Sequence, residues 1–322
     1  MNYSKSIGGY FQLELNNFGT VYHDNAIALN SGRNALEYIL IQKKYSKVYI
    51  PYFTCDVILQ PLQKLDIEYE FYHLDNSLMP QVQSVGENEV LLYTNYFGIL
   101  SINVKNVIRK FVNVMIDNSQ AFYDMPVDNI PTFYSPRKFF GLPDGGFAYV
   151  NRNLDLDLNL EVDKSMDRVS HLIARIENGA EAGYKLYQKN DEKLNNLPLL
   201  KMSQLTNQLL NNINFEAIRK KRNENFDIIH QALKYDNELS PMIETAKING
   251  PMVYPFLRKG NNKLRYHLIS NKILVARYWP NVIKWLEAKN IFERYLYCNL
   301  IPLPIDQRSD KKALKAIVQM IK

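Results

Sequence analysis

Lys138 stands in the run Phe133-Tyr134-Ser135-Pro136-Arg137-Lys138-Phe139-Phe140-Gly141. A lone lysine is normally solvated. Aromatic flanks and a nearby proline instead describe a rigid, partly desolvated loop, where an amine holds its proton less tightly and becomes a nucleophile for a carbonyl carbon. Asp117 ends the apolar run Val112-Asn113-Val114-Met115-Ile116. A carboxylate there is costly to bury without a cation, so it either shapes a turn, as Asp commonly does, or serves a ligand. Asn30-Ser31-Gly32-Arg33 precedes a helical pattern, with Ser31 or Asn30 as its cap. The free N–H groups of such a helix start suit a phosphate, although most capped helices bind nothing. Pro143-Asp144-Gly145-Gly146 reads as a tight turn whose glycines supply positive φ, and no catalysis is assigned to it.

These residues need elements to position them. From about Ala28 to Val150 short β-rich runs alternate with helical spacing: Val48 to Ile50, Tyr69 to Leu74, Val90 to Tyr93, Val112 to Ile116, Thr132 to Tyr134 and Phe147 to Val150. Helices are expected around Ala35 to Leu40 and, weakened by Pro61, around Val57 to Leu65. The alternation predicts an α/β domain with a mostly parallel sheet, whose ligands collect beyond the carboxyl ends of the strands. Pro51 to Cys55, Asn95 to Gly98, Asp117 to Gln120 and Ser135 to Lys138 follow such ends. Residues from Leu154 to Asn195 are polar with weak periodicity, which suits a surface excursion or a segment crossing to another subunit. Helices are then expected over Ser203 to Ile213 and Phe215 to Leu233. A second, smaller α+β part would have strands at Val253 to Leu257 and Ile273 to Ala276, and helices at Asn262 to Asn271 and Lys311 to Ile321.

Composition narrows the function. The chain has 322 residues, enough to bury about 75% of its unfolded surface and to form two domains. Only 13 are glycine, with no GxGxxG and no GxxxxGK[ST], so dinucleotide-binding and P-loop readings lose their support. The 39 Lys+Arg against 33 Asp+Glu are scattered, and the one basic run, Arg219-Lys220-Lys221-Arg222, reads as the wet face of a helix, so no nucleic-acid partner is expected. Cys55 and Cys298 lie far apart and suit a reducing compartment as small buried apolar residues. No apolar stretch reaches the ~18 residues needed to span a bilayer. Met1-Asn2-Tyr3-Ser4-Lys5 leads into polar and glycine residues in place of an apolar signal core, so a soluble cytoplasmic protein is expected.

The order of the pieces says more than any one of them. A helix start with Gly32, an acid ending a strand with Gln120 three residues on, and a lysine about twenty residues later resemble the fold-type-I pyridoxal phosphate enzymes. Within these, the chain resembles the DegT/DnrJ/EryC1/StrS family of sugar aminotransferases over nearly its whole length. The matching motifs are Ser31-Gly32-Arg33, Pro51-Tyr52-Phe53-Thr54, Asp117-Asn118-Ser119-Gln120-Ala121 and Tyr134-Ser135-Pro136-Arg137-Lys138 through Gly145-Gly146. Softer matches are Lys201-Met202-Ser203, Arg222 to Phe226, Tyr278-Trp279-Pro280 and Leu303-Pro304.

The resemblance implies a three-layer α/β/α large domain over 1–213, with 154–200 as a surface or dimer-crossing segment, and a small C-terminal α+β domain over 214–322. It implies pyridoxal 5'-phosphate as cofactor and a homodimer with active sites at the subunit interface. The substrates would be an amino donor, glutamate above all, and a nucleotide-linked keto sugar used in surface polysaccharide or deoxyamino-sugar biosynthesis. Lys138 is implied to bond the cofactor aldehyde and move the proton, Asp117 to face the pyridine nitrogen, and Gln120 to face the 3-oxygen. Gly32, Arg33, Ser31 and Ser135 are implied at the phosphate, with Lys201 as the nearest equivalent of an arginine lent by the neighbouring subunit. Three positions depart from the family: Arg33 replaces Thr, Phe133 replaces a phosphate-binding Ser, and Cys55 falls where an aromatic usually stacks on the ring, leaving that face to Phe53, to Tyr96 or to nothing. A catalytically silent relative that binds cofactor or sugar nucleotide is the alternative. Dehydration within the same family goes with His in place of the lysine, which Lys138 argues against.

Overall fold

The computed structural model describes residues 12–19, 21–150, 159–286 and 291–322. Met1 to Lys5 and the first part of the 154–195 stretch lie outside the described residues. Strands β1 (Ile27–Leu29), β2 (Lys47–Pro51), β3 (Glu68–Tyr72), β4 (Glu89–Thr94), β5 (Val114–Asp117), β6 (Thr132–Tyr134) and β7 (Gly146–Tyr149) form a seven-stranded sheet in the order β1-β7-β6-β5-β4-β2-β3. Parallel ladders join β2 to β3 and β4, β4 to β5, and β5 to β6, while β7 runs antiparallel to β6 and β1. The three-residue edge strand β1 is too short to show as a pattern in the sequence.

Alternate residues of the central strands face opposite layers. Leu91 and Tyr93 of β4 enter one buried cluster and Val90 and Leu92 the other, and in β5 Val114 and Ile116 part from Met115 in the same way. Burial on both faces is why these strands read as unbroken apolar runs. Helices α1 (Gly32–Lys43) and α2 (Leu59–Lys64) cover one face through Ala35, Leu36, Ile39, Leu40 and Leu62. Helix α3 (Ser101–Lys110) covers the other through Val104 and Val107. Pro61 sits in the first turn of α2, where a missing amide removes no intrahelical bond, so the helix forms despite it.

The polar 154–195 stretch contains a 24-residue helix, α4 (Ser170–Lys193), interrupted at Gly179, whose φ is +83°. Only His171, Gly183 and Asn190 of α4 are buried, which accounts for its weak periodicity. Helices α5 (Gln204–Asn211) and α6 (Phe215–Leu233) follow, capped by the side chains of Ser203 and Asn214. Beyond them come α7 (Ser240–Thr245), β8 (Tyr254–Leu257), α8 (Asn262–Ser270), α9 (Pro280–Trp285), α10 (Phe292–Asn299), β9 (Leu300–Leu303) and α11 (Lys311–Ile321).

β8 pairs antiparallel with β9, and the strand expected at Ile273 to Ala276 does not form. In its place the Arg265 guanidinium donates to the Ala276 carbonyl, satisfying that backbone without a ladder. The C-terminal elements share the main core: Phe226, Leu268, Ile301 and Leu314 lie in one cluster with Leu91 and Val107.

The basic run in α6 departs from its expected wet face. Arg219 pairs with Glu216 at the surface, but Arg222 is 2% exposed and donates to the carbonyls of Pro251, Met252 and Phe139. Both cysteines are free and half-buried. Among the described residues no helix is long and apolar enough to cross a membrane, and no cluster of His, Cys, Asp or Glu is arranged to hold a metal.

Candidate active site

Asp117 closes β5 with 6% of its surface exposed. Its Oδ1 accepts the Ser119 N–H at 2.8 Å, and its Oδ2 has only a long 3.4 Å bond from the Thr94 hydroxyl. No cation pairs with it among the described residues, and the Ser119 bond is the turn role open to an aspartate, leaving Oδ2 with the weaker contact. The Lys138 amine donates to Ser119 Oγ at 2.9 Å, so amine and carboxylate flank one serine.

Lys138 ends a 3-10 turn over Pro136–Lys138 that follows β6. The turn is fixed by the Lys138 N–H to the Ser135 carbonyl at 3.2 Å and the Phe139 N–H to the Pro136 carbonyl at 2.9 Å. Phe139 and Phe140 point into a cluster with Phe122, Tyr123 and Phe215. The loop is therefore rigid, as expected, but its aromatics turn away from the lysine, which is exposed where partial desolvation was expected. The Phe139 carbonyl is held by Arg222 Nη2 at 3.2 Å and Gln307 Nε2 at 3.0 Å, and the Arg222 guanidinium lies 4.8 Å from the Phe139 ring centroid. Burial pulls the Arg222 guanidinium down to about 10, which leaves it charged at neutral pH.

Gln120 is buried, and its carboxamide oxygen accepts the Phe97 N–H at 2.8 Å. Phe97 and Gly98 have φ of +63° and +74°, and a Cβ on Gly98 would come 2.7 Å from the Gln120 carbonyl. Gln120 therefore secures a left-handed turn after β4, and its amide NH2 is what remains to meet a ligand.

On the other side of the lysine, Ser31 caps α1 by accepting the Asn34 N–H at 3.1 Å. Ser31 is bridged to Gly145, and a Cβ on Gly146 would lie 2.1 Å from the Ser31 carbonyl oxygen. Gly145, at φ +113°, supplies the expected turn, whereas Gly146 does not have a positive φ and instead lets the strand after the lysine loop press against the start of α1. A Cβ on Gly32 would meet Ser135 Cβ at 3.1 Å, which sets Ser135 beside the helix start.

Arg33 and Arg137 are both largely buried and both face Asp191 near the end of α4, at 4.0 and 3.0 Å. Arg33 Nη1 and Arg137 Nε are buried with no hydrogen-bond partner. Burial pushes the Arg33 pKa down, against the pull of Asp191. Burial likewise pushes the Cys55 thiol up, while the Val57 N–H and the charges of Lys138 and Arg33 pull it back. Phe53 and Tyr96 are fully buried, and the Tyr96 hydroxyl donates to the Phe53 carbonyl at 2.8 Å, so both rings belong to the core.

Lys201 stands apart. Its main chain bridges Leu29 and Val162 at the sheet edge, and its side chain is exposed. Ser119, Arg137 and Asp191 were not singled out from the sequence. The first two lie inside quoted motifs and were passed over, whereas nothing local marks Asp191, 54 residues from the arginine it pairs with.

No protein-family model matches the chain, and no curated protein matches its sequence. Solved structures do share its fold. The sugar aminotransferase CalS13 from Micromonospora echinospora matches with a TM-score of 0.66 at 12% identity, over 92% of this chain and 86% of that one. A DegT DnrJ EryC1 StrS aminotransferase from Brucella abortus matches with a TM-score of 0.63 at 15% identity, over 92% and 84%. Spr1654 from Streptococcus pneumoniae, in its PLP form, matches with a TM-score of 0.64 at 14% identity, over 92% and 86%. The architecture is that of the sugar aminotransferases, a mostly parallel mixed sheet with helices on both sides.

Proposed function

We propose that this chain is a pyridoxal-phosphate-dependent aminotransferase that moves an amino group from glutamate or a similar amino acid onto a nucleotide-linked keto sugar, in surface polysaccharide or deoxyamino-sugar biosynthesis. The observation that carries the reading is the placement of Lys138 and Asp117 on either side of Ser119 at the carboxyl ends of adjacent parallel strands. Shared architecture with sugar aminotransferases supports the reaction class, and the PLP form of one structural neighbour supports the cofactor.

The residues present fit that cofactor. Asp117 is a buried carboxylate without a cation among the described residues, suited to a protonated pyridine nitrogen, and the unpartnered guanidinium nitrogens of Arg33 and Arg137 suit a phosphate. Bound there, pyridoxal phosphate supplies an aldehyde carbon that bonds the amino nitrogen and a ring that takes up electron density from the substrate Cα.

The protein's part is positional and protic. Asp117 would keep the ring nitrogen charged, and the Gln120 NH2 would be the donor for the ring oxygen. The N–H groups of Gly32 and Arg33, with the Ser135 hydroxyl beside them, would hold the phosphate. Ser119 would hold the Lys138 amine, which would move a proton from the donor's Cα to the cofactor's aldehyde carbon and, in the second half of the exchange, from that carbon to the acceptor's. The net exchange swaps an amino group on one substrate for a carbonyl oxygen on the other and needs no oxidant.

The reading includes a homodimer, since the single chain leaves Lys201 at the sheet edge, and a cytoplasmic setting. It also includes a small domain over 214–322, carried by β8, β9 and their helices on a core shared with 1–213. A catalytically silent binder of the same ligands is favoured by one observation: Phe53 and Tyr96 both pack in the core, so neither covers a ring above Cys55. Adding pyridoxal phosphate to purified protein separates the two. An enzyme turns yellow, loses the colour with Lys138→Ala, and converts glutamate to 2-oxoglutarate as the colour bleaches. If the wild type gains no colour with cofactor in excess, the enzyme reading fails; colour that no amino acid alters leaves the silent binder.

A further inference from the structure

We infer that Arg33 and Arg137 form an anion clamp for a phosphate monoester, and that Asp191 of α4 holds the clamp until the phosphate enters by displacing it. Three independent features meet here. First, the charges do not balance: two guanidiniums, with side chains 14% and 15% exposed, share one carboxylate that is 45% exposed. Arg137 takes the close contact at 3.0 Å, while Arg33 stays 4.0 Å away. Second, each arginine keeps a buried nitrogen without a partner, Nη1 on Arg33 and Nε on Arg137. A carboxylate offers two oxygens; a phosphate monoester offers three outer oxygens and up to two charges, which suits two forks at once. Third, Asp191 lies in the last turn of α4, where the helix dipole disfavours a carboxylate. The arginines supply the reason it is tolerated there.

The remaining neighbours do not supply the missing anion. The Cys55 thiol is pushed up by burial and stays neutral, and His171, lowered by burial and by Arg137, is neutral as well. Asp56 acts on Arg33 more weakly than Asp191 does and is itself exposed. Ser135 and the start of α1 stand beside the same space and add neutral donors. The identity of the ester as the cofactor's rests on the proposed function, but the clamp does not.

Calorimetric titration of the full chain with inorganic phosphate, at one low ionic strength, tests the clamp without catalysis. Asp191→Asn should bind phosphate about 5-fold tighter than wild type, and Arg137→Gln about 10-fold weaker. Pyridoxal phosphate should follow the same order, while pyridoxal, which lacks the ester, should not distinguish the variants. Melting curves certify the fold, and Arg137→Lys, which keeps the charge but not the fork, replaces Arg137→Gln if that variant unfolds, with weaker binding again expected. Phosphate binding that is unchanged or weaker in Asp191→Asn, or undiminished in the Arg137 variant, overturns the inference. If the order holds while nothing colours with pyridoxal phosphate, the clamp stands and the aminotransferase reading falls.

Discussion

Replacing Gly146 by alanine should disconnect the lysine loop from the start of α1. The added Cβ would stand 2.1 Å from the Ser31 carbonyl oxygen, 2.4 Å from its carbonyl carbon and 2.7 Å from the Gly32 nitrogen. Ordinary contact begins near 3.4 Å, so backbone must move by more than 1 Å, and every atom in the way is main chain with no rotamer to yield. Overpacking of this kind costs up to about 3 kcal/mol. The movement falls on the residues proposed to hold phosphate, and a displacement of about 1 Å in a catalytic constellation lowers rate on the order of 100-fold. Gly32→Ala meets only Ser135 Cβ at 3.1 Å and should cost less than half as much, and Gly260→Ala, with nothing within 4 Å, reports the cost of its positive φ alone. Urea unfolding of the three variants, with phosphate titration of each, gives the ranking. If Gly146→Ala matches wild type in both stability and phosphate affinity, the close approach of β7 to Ser31 is not what positions the helix start.

Acid should weaken the fold through His23. Burial holds its pKa down to about 4, so the folded imidazole stays neutral while the unfolded one gains a proton near 6.5. Stability is therefore complete above about pH 6.5 and lost as pH falls toward 4, by about 3 kcal/mol. Urea midpoints for wild type and His23→Gln at pH 7 and 4.5 measure it, and equal acid losses in both refute it. Arg222→Met should remove the donor to the Phe139 carbonyl and destabilise the protein by about 2 kcal/mol or more, read by thermal melting; no change in Tm would show the clamp on the lysine loop to be redundant. Ser119→Ala should leave the melting temperature within about 2 °C yet slow amine transfer about 10-fold, because Lys138 loses its only hydrogen-bond acceptor among the described residues. An unchanged rate would separate Ser119 from the site.

What the sequence reveals follows from the range of the forces involved. Helices α6 and α11 occupy the residues their apolar spacing predicts, because Asn214 and Asp310 cap them and one face of each is buried. The central strands are legible because two layers cover them. Helix α4 is not, since it buries three residues, and most of its pattern answers to solvent. Ile273 to Ala276 has strand-like residues but no strand to pair with, while Leu300–Leu303 passes unnoticed until β8 lies beside it. At the site, Asp117 and Lys138 are readable from motif order. The Ser119 bridge and the pairing of Asp191 with Arg33 and Arg137 join residues that only the fold brings together. Arg222 looks like surface charge in its run of four and is a buried cation, a distinction set by carbonyls 29, 30 and 83 residues away.

The central claim is that Lys138 bonds the cofactor. Borohydride reduction of the full chain with pyridoxal phosphate, followed by peptide mass mapping, locates the bond directly. A single stoichiometric label on Lys138 that disappears in Lys138→Ala is the predicted result. No label on the wild type, or one that spreads over surface lysines and persists in the variant, would contradict the account.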